Sequence, residues 1–176
     1  MTSITNEHNL KQNRIVCESL REALIILMEE KNYYKISISE LCLKAGVSRM
    51  AFYNNYESKD ELLRQIIYVE TNKLIEKVGS PFREKTNKEW YIKMFECIKE
   101  EHRYLNSIFN ADFKYEYLNA INDLVLHDES FSPKEKYIRI MWAGGVVNTI
   151  IQWLETNMEI SILEMAEFCY NNLSVW

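Results

Sequence analysis

Residues Ile36 to Leu63 read ISISELCLKAGVSRMAFYNNYESKDELL, and the rest of the chain takes its meaning from how this stretch folds. Two short patterns of helical spacing meet at Ala45-Gly46-Val47-Ser48, and a third begins after Tyr56-Glu57. Leu41, Ala45, Val47, Phe52 and Tyr56 fall where two crossed helices would share a small core. Gly46 stands where a turn of three or four residues needs a left-handed backbone, which glycine adopts without steric cost. Cys42, in mid-helix, is small enough to let the second helix approach closely. The pattern predicts a helix-turn-helix, a unit whose second helix lies in the major groove of DNA.

The same residues resemble the DNA-binding segment of the TetR family of bacterial transcriptional regulators. The likeness comprises the serine opening the first of the two helices, Leu41, Ala45-Gly46-Val47-Ser48, Phe52-Tyr53, Tyr56 and Ser58-Lys59-Asp60-Glu61-Leu62. It spans Val16 to Ile67. Beyond it the chain matches the family in length and helical pattern, and Trp142-Ala143-Gly144-Gly145 with Ile151-Gln152-Trp153-Leu154 is similar to one subgroup. The resemblance implies an all-α fold of about nine helices in two domains. Residues 1–57 would be the helix-turn-helix DNA-binding domain, and 58–176 the helical ligand-binding and dimerisation domain. A fourth helix, from Ser58 to about Val78, would connect them.

Length and composition agree with that outline. A chain of 176 residues can bury a substantial core in one large or two small domains. Four glycines and two prolines leave few turns and favour long helices. The first residues, MTSITNEHNLKQNR, contain no apolar core of a secretory signal. The most apolar run, Tyr137 to Leu154, is interrupted by Arg139, Asn148 and Gln152, so no membrane span is expected. Cys17, Cys42, Cys97 and Cys169 show no paired spacing and read as reduced, buried thiols of a cytoplasmic protein. The net charge of −5 is unevenly spread: residues 1–60 hold eight Lys/Arg and eight Asp/Glu, so the whole excess of acid lies beyond them. A neutral first part predicts modest non-specific affinity for DNA.

Val16, Leu20, Ala23, Leu24 and Leu27 form one apolar stripe at helical period, predicting a first helix from about Leu10 to Lys31. Lys11 and Arg14 lie near its polar side, as phosphate ligands or as solvated charges. Five Ser/Thr-x-x-Glu tetrapeptides mark helix starts: Ser37 to Glu40, Ser58 to Glu61, Thr86 to Glu89, Ser132 to Glu135 and Ser161 to Glu164. Gly79-Ser80-Pro81 ends the fourth helix. Further helices are expected at Asn87 to His102, at Tyr104 to Leu126 with a break near Asn110-Ala111-Asp112, at Pro133 to Asn157 and at Ile162 to Leu173.

The second helix of the motif, Ser48 to Asn55, turns Ser48, Arg49, Met50, Tyr53 and Asn54 outward. Arg49 can donate twice to guanine, and Met50 can meet a thymine methyl group. By resemblance, Tyr53 with Asn55 beside it, Lys59, and Ser37 with Ser39 nearby would hold backbone phosphates, contacts that set register rather than sequence. Each has a plainer reading: Tyr53 as core, Lys59 as a solvated ammonium, Arg49 in an ion pair. Asn55 and Glu57 depart from the histidine usual and the basic residue frequent in the family.

The Pro133–Asn157 helix is apolar on nearly all sides and needs burial all round. Together with the Ile162–Leu173 helix it is expected to pair with a second copy, which is also what the resemblance implies. Gly144-Gly145 in mid-helix suits close approach of another backbone or of a ligand. Two-fold symmetry would then set two recognition helices about 34–36 Å apart on a palindromic operator in double-stranded DNA. Trp90, Tyr91, Phe95, Tyr104 and Phe109, with Phe113, Tyr117, Tyr137 and Trp142, could line a pocket for a small-molecule effector or could be plain core. The resemblance implies a repressor whose effector shifts the fourth helix and releases DNA. Cys97, Glu101, His102 and His127 match no standard metal spacing, and no cofactor or catalytic constellation is expected. The rival reading is a co-regulator that keeps the fold and acts through a protein partner with weak or no DNA binding.

Overall fold

The computed structural model describes residues 2–82, 87–127 and 130–173, with side chains from Leu10 onward. Its elements are α1 (Thr2–Glu30), a 3-10 turn (Tyr33–Lys35), α2 (Ile38–Ala45), α3 (Arg49–Tyr53), α4 (Lys59–Val78), α5 (Lys88–Glu100), α6 (His102–Asn110), α7 (Lys114–Val125), α8 (Pro133–Glu155) and α9 (Ile162–Leu173). Among the described residues there is no strand. The chain divides into two compact units, Met1–Ile66 and Ile67–Trp176, with the division inside α4. The first helix begins at Thr2 instead of Leu10, since no glycine or proline interrupts the polar segment ahead of its apolar stripe.

Helix ends follow from local chemistry. Ser37, Ser48 and Ser132 each accept an amide of the first turn, from Glu40, Ala51 and Glu135. At Ser132 and Ser161 the glutamate three residues on also returns a bond to the serine amide, completing the box. Glu61 instead reaches the amide of Glu57 at 2.6 Å while Ser58 accepts from Glu61. Thr86 lies outside the described residues, and α5 is capped by Asn87, whose side chain accepts from the Trp90 amide.

Three helices end in the same way. After α2, Gly46 is left-handed (φ 68°), with its own amide on Leu43 and the Val47 amide on Cys42. Asp112 and Asn157, both at positive φ, repeat this double bond after α6 and α8. Glycine occupies only one of the three positions, since aspartate and asparagine tolerate this backbone region.

In the first unit α1 packs on α2 and α3 through Leu20, Ala23, Leu24 and Leu27, which meet a core of Leu41, Phe52 and Tyr56. Ala45 and Val47 are half-buried rather than central. In the second unit α9 lies along α5, and α7 and α6 pack on α8. Tyr91, Phe95, Trp142 and Trp153 fill its centre, with Trp142 Nε1 donating to the Tyr91 hydroxyl at 3.1 Å and Phe95 edge-on to Trp153. The α8 helix is not buried all round: Tyr137, Ile140 and Met141 are exposed, as are Leu163 and Phe168 on α9. Gly145 sits under the Leu173 side chain, where a Cβ would come within 2.8 Å, whereas Gly144 opens onto free space.

Candidate nucleic-acid interface and effector cavity

The turn at Gly46 fixes α3 against α2 and leaves one side of α3 bare. Ser48, Arg49, Met50, Tyr53 and Asn54 are all exposed, as are Ser37 and Ser39 at the start of α2. Met50 is 75% exposed, an apolar side chain with little reason to face water in the isolated chain. Tyr53 is half exposed and stands edge-on to the buried Phe52, which anchors its ring. Ser37 and Ser48 spend an acceptor on their caps; their hydroxyl protons remain available to donate to a phosphate.

Two of the expected phosphate ligands are engaged inside the unit. Lys59 Nζ donates to the carbonyls of Tyr33 and Ile36, each at 2.7 Å, and lies 4.0 Å from the Tyr33 ring centre. Burial lowers its pKa, although the nearby Asp60 opposes the shift. The ammonium thus ties the 3-10 turn to the start of α4, with one of its three donors left over. Asn55 donates to the Ala51 carbonyl at 2.8 Å and accepts from the Cys17 thiol at 3.4 Å, so it joins α3 to α1. The spacing of the motif signals neither the Cys17 contact nor the two carbonyls held by Lys59, because these partners lie more than twenty residues away. Lys11 and Arg14, the α1 cations considered for phosphate, are both exposed, and Arg14 pairs with Glu18.

The nine aromatic residues do not share a pocket. Tyr91, Phe95, Phe109 and Phe113 are buried core, and Tyr137 is 70% exposed on α8. Trp90, Tyr117 and Trp142 border a void of about 20 Å³, too small for an effector. Tyr104 and Tyr117 border a larger cavity of about 120 Å³ between α4, α5, α6 and α7, together with Thr71 of α4. Burial, aided by the Glu70 carboxylate, pushes the Tyr104 phenol well above its ordinary range, and burial alone does so for Tyr117. The hydroxyls of Thr71, Tyr104 and Tyr117 are buried without a hydrogen-bond partner. Each such orphan costs about 1–3 kcal/mol. Thr71 escaped the sequence reading, although it interrupts the apolar stripe Ile67, Leu74, Val78 at helical spacing.

Among the described residues no group of three or more His, Cys, Asp or Glu is placed to hold a metal. His102 and His127 instead bond the carbonyls of Lys99 and Leu124. No helix there is long and apolar enough to cross a membrane.

Residues 20–66 match the family described as bacterial regulatory proteins, tetR family, and residues 85–174 match the transcriptional regulator C-terminal region of such proteins. The chain belongs to the TetR family. As a TetR-family protein it is a transcriptional regulator and not an enzyme. The HTH-type dhaKLM operon transcriptional activator DhaS of Lactococcus lactis is 24% identical over 141 residues, covering 77% of this chain and 71% of that one. Among solved structures, a TetR transcriptional regulator from Streptococcus agalactiae superposes with a TM-score of 0.66 at 16% identity, covering 96% and 99% of the two chains. FadR from Bacillus subtilis in complex with stearoyl-CoA gives 0.57 at 16%, covering 90% and 97%. These likenesses show that the TetR fold extends over both units.

Proposed function

We propose that the chain is a homodimeric, ligand-responsive repressor that binds a palindromic operator. The observation that carries this reading is the bare side of α3, where Arg49 and Met50 project from a helix whose opposite side, Phe52, is fully buried. Arg49 and Met50 read base edges, while Ser37, Ser39, Ser48, Tyr53 and Asn54 reach phosphate and sugar. Lys59 and Asn55 act chiefly by holding the unit in shape, and the last donor of Lys59 can still reach a phosphate.

A second copy supplies the cover for the apolar residues left outside on α8 and α9. Tyr137, Met141 and the open Gly144 fall on one stripe of α8, and Leu163 and Phe168 lie on α9. Single exposed apolar residues are ordinary, but several on the two helices expected to pair favour an interface. The effector binds in the second unit and acts through α4, which walls the 120 Å³ cavity with residues from Glu70 to Lys77. It changes operator occupancy only by binding one conformational state more tightly than the other.

Operator-length duplexes selected from a random library, followed by fluorescence anisotropy over a salt series, test the reading. A palindromic consensus bound by a dimer with a steep negative salt slope supports it. Salt-insensitive weak binding by a dimer supports the protein-partner alternative instead, and promoter-fusion assays with the selected operator distinguish repression from activation.

A further inference from the structure

Buried polar groups of the second unit are mostly paired, and three of those that are not share one cavity, the Asn122 Oδ1 lying elsewhere. Buried indoles there find partners: Trp142 on Tyr91, Trp153 on the Ile160 carbonyl. Thr71, Tyr104 and Tyr117 are each more than nine-tenths buried, at 2%, 8% and 2% exposure, yet their three hydroxyls have none. All three residues line the same cavity. Native interiors seldom leave such groups idle, and three around one space point to an absent molecule with oxygens of its own.

The remaining walls define what that molecule is. Leu74, Ile98 and Leu105 make the rest of the lining largely hydrocarbon. At about 120 Å³ the space is close to the ~150 Å³ apolar cavity that takes up benzene, so it admits a molecule the size of a single ring and no long acyl chain. Both lysines at the rim are paired, and one carboxylate is left over. Lys73 pairs with Glu70 and Lys77 with Glu100, and Glu101 adds a carboxylate on the same rim. A ligand anion would lose its water without an uncommitted cation to replace it. Both phenols stay protonated at neutral pH and can donate as well as accept.

We infer that the cavity holds a compact neutral ligand carrying two or three hydroxyl or carbonyl oxygens on an otherwise hydrocarbon frame, bound by Thr71, Tyr104 and Tyr117. This rests on the effector half of the regulator reading above and specifies its chemical class. The natural compound need not be known to test it, since any probe with that shape and polarity should bind.

The test uses the full chain without DNA. Calorimetric titration with trans-cyclohexane-1,2-diol is compared with cyclohexanecarboxylate and with lauroyl-CoA, and thermal melts are recorded alongside. The diol is expected to saturate and to raise the melting temperature, with the carboxylate and the thioester at least tenfold weaker. Tyr117→Phe and Tyr104→Phe should each weaken the diol at least tenfold while leaving the ligand-free melting temperature unchanged or higher, because an unpaired hydroxyl has been removed. Thr71→Val, nearly isosteric, gives the same reading should a tyrosine variant fold poorly. Equal binding of diol and carboxylate, diol affinity unaltered by these changes, or a crystal structure showing only an ordered water at the three hydroxyls overturns the inference. A chain that binds DNA but ignores the diol loses this inference alone; one that binds the diol but no DNA loses the regulator reading and keeps the site.

Discussion

The two units treat their polar groups in opposite ways. In the first, the half-buried polar side chains are committed, Asn55 bridging α3 to α1 and Lys59 holding two carbonyls, and the exposed Ser37 and Ser48 cap helices. In the second, three hydroxyls border a cavity with nothing to bond. A unit with its polar groups satisfied has one well-defined shape, which suits a surface that must match a rigid duplex. A unit with unmet hydrogen bonds carries a standing cost that a ligand can remove, which suits a sensor.

The contrast is open to direct attack, most forcefully at Phe52. This ring is fully buried in the first unit, so Phe52→Ala should cost about 3–5 kcal/mol. All four tryptophans lie at or beyond Trp90, in the second unit. Circular dichroism should therefore show lost helix in urea before tryptophan fluorescence changes, and a single coincident transition would mean that the units do not behave separately.

Next in size is Arg49→Ala. Measured on variant operators, it should remove about 1–3 kcal/mol of preference at one base pair in each half-site, with the other positions unaffected. Uniform loss on every sequence would make Arg49 a phosphate ligand. Lys59→Met sharpens the same point. Two carbonyls lose their donor, so the urea midpoint should fall by the equivalent of about 1 kcal/mol or more. If the residue holds only those carbonyls, the salt slope of DNA binding stays as it was; a slope smaller by about 0.9 assigns a phosphate to its third donor.

Cys169 tests the closed part of the second unit. Burial pushes its thiol from an ordinary 9.0 up to about 11. Because the folded value is the higher one, its contribution to stability is whole below pH 9 and is lost as pH rises toward 11. Against wild type, Cys169→Ala should lose less stability over that window, as followed by denaturation midpoints at each pH; parallel curves would show an ionised thiol tolerated in the fold. The smallest effect is expected at the exposed Lys88–Glu167 pair between α5 and α9. Lys88→Ala should change the melting midpoint by no more than about 0.5 kcal/mol equivalent.

Local chemistry made much of this molecule legible from the chain alone. A serine with a glutamate three residues on, an apolar stripe at period 3.6 and a glycine in a three-residue turn act over a few neighbours. The helix starts at Ser37, Ser58, Ser132 and Ser161 were therefore readable, as was the left-handed turn at Gly46. So was the outward direction of Arg49 and Met50, which follows from helical phase once Phe52 is placed inside. Tertiary structure alone decided where the remaining polar groups find partners. Lys59 meets carbonyls more than twenty residues away, and aromatic composition could not separate the core ring of Phe95 from the exposed ring of Tyr137. Whether the Tyr117 hydroxyl is satisfied depends on how α4, α5, α6 and α7 close around it, and no local pattern encodes the absence of a partner.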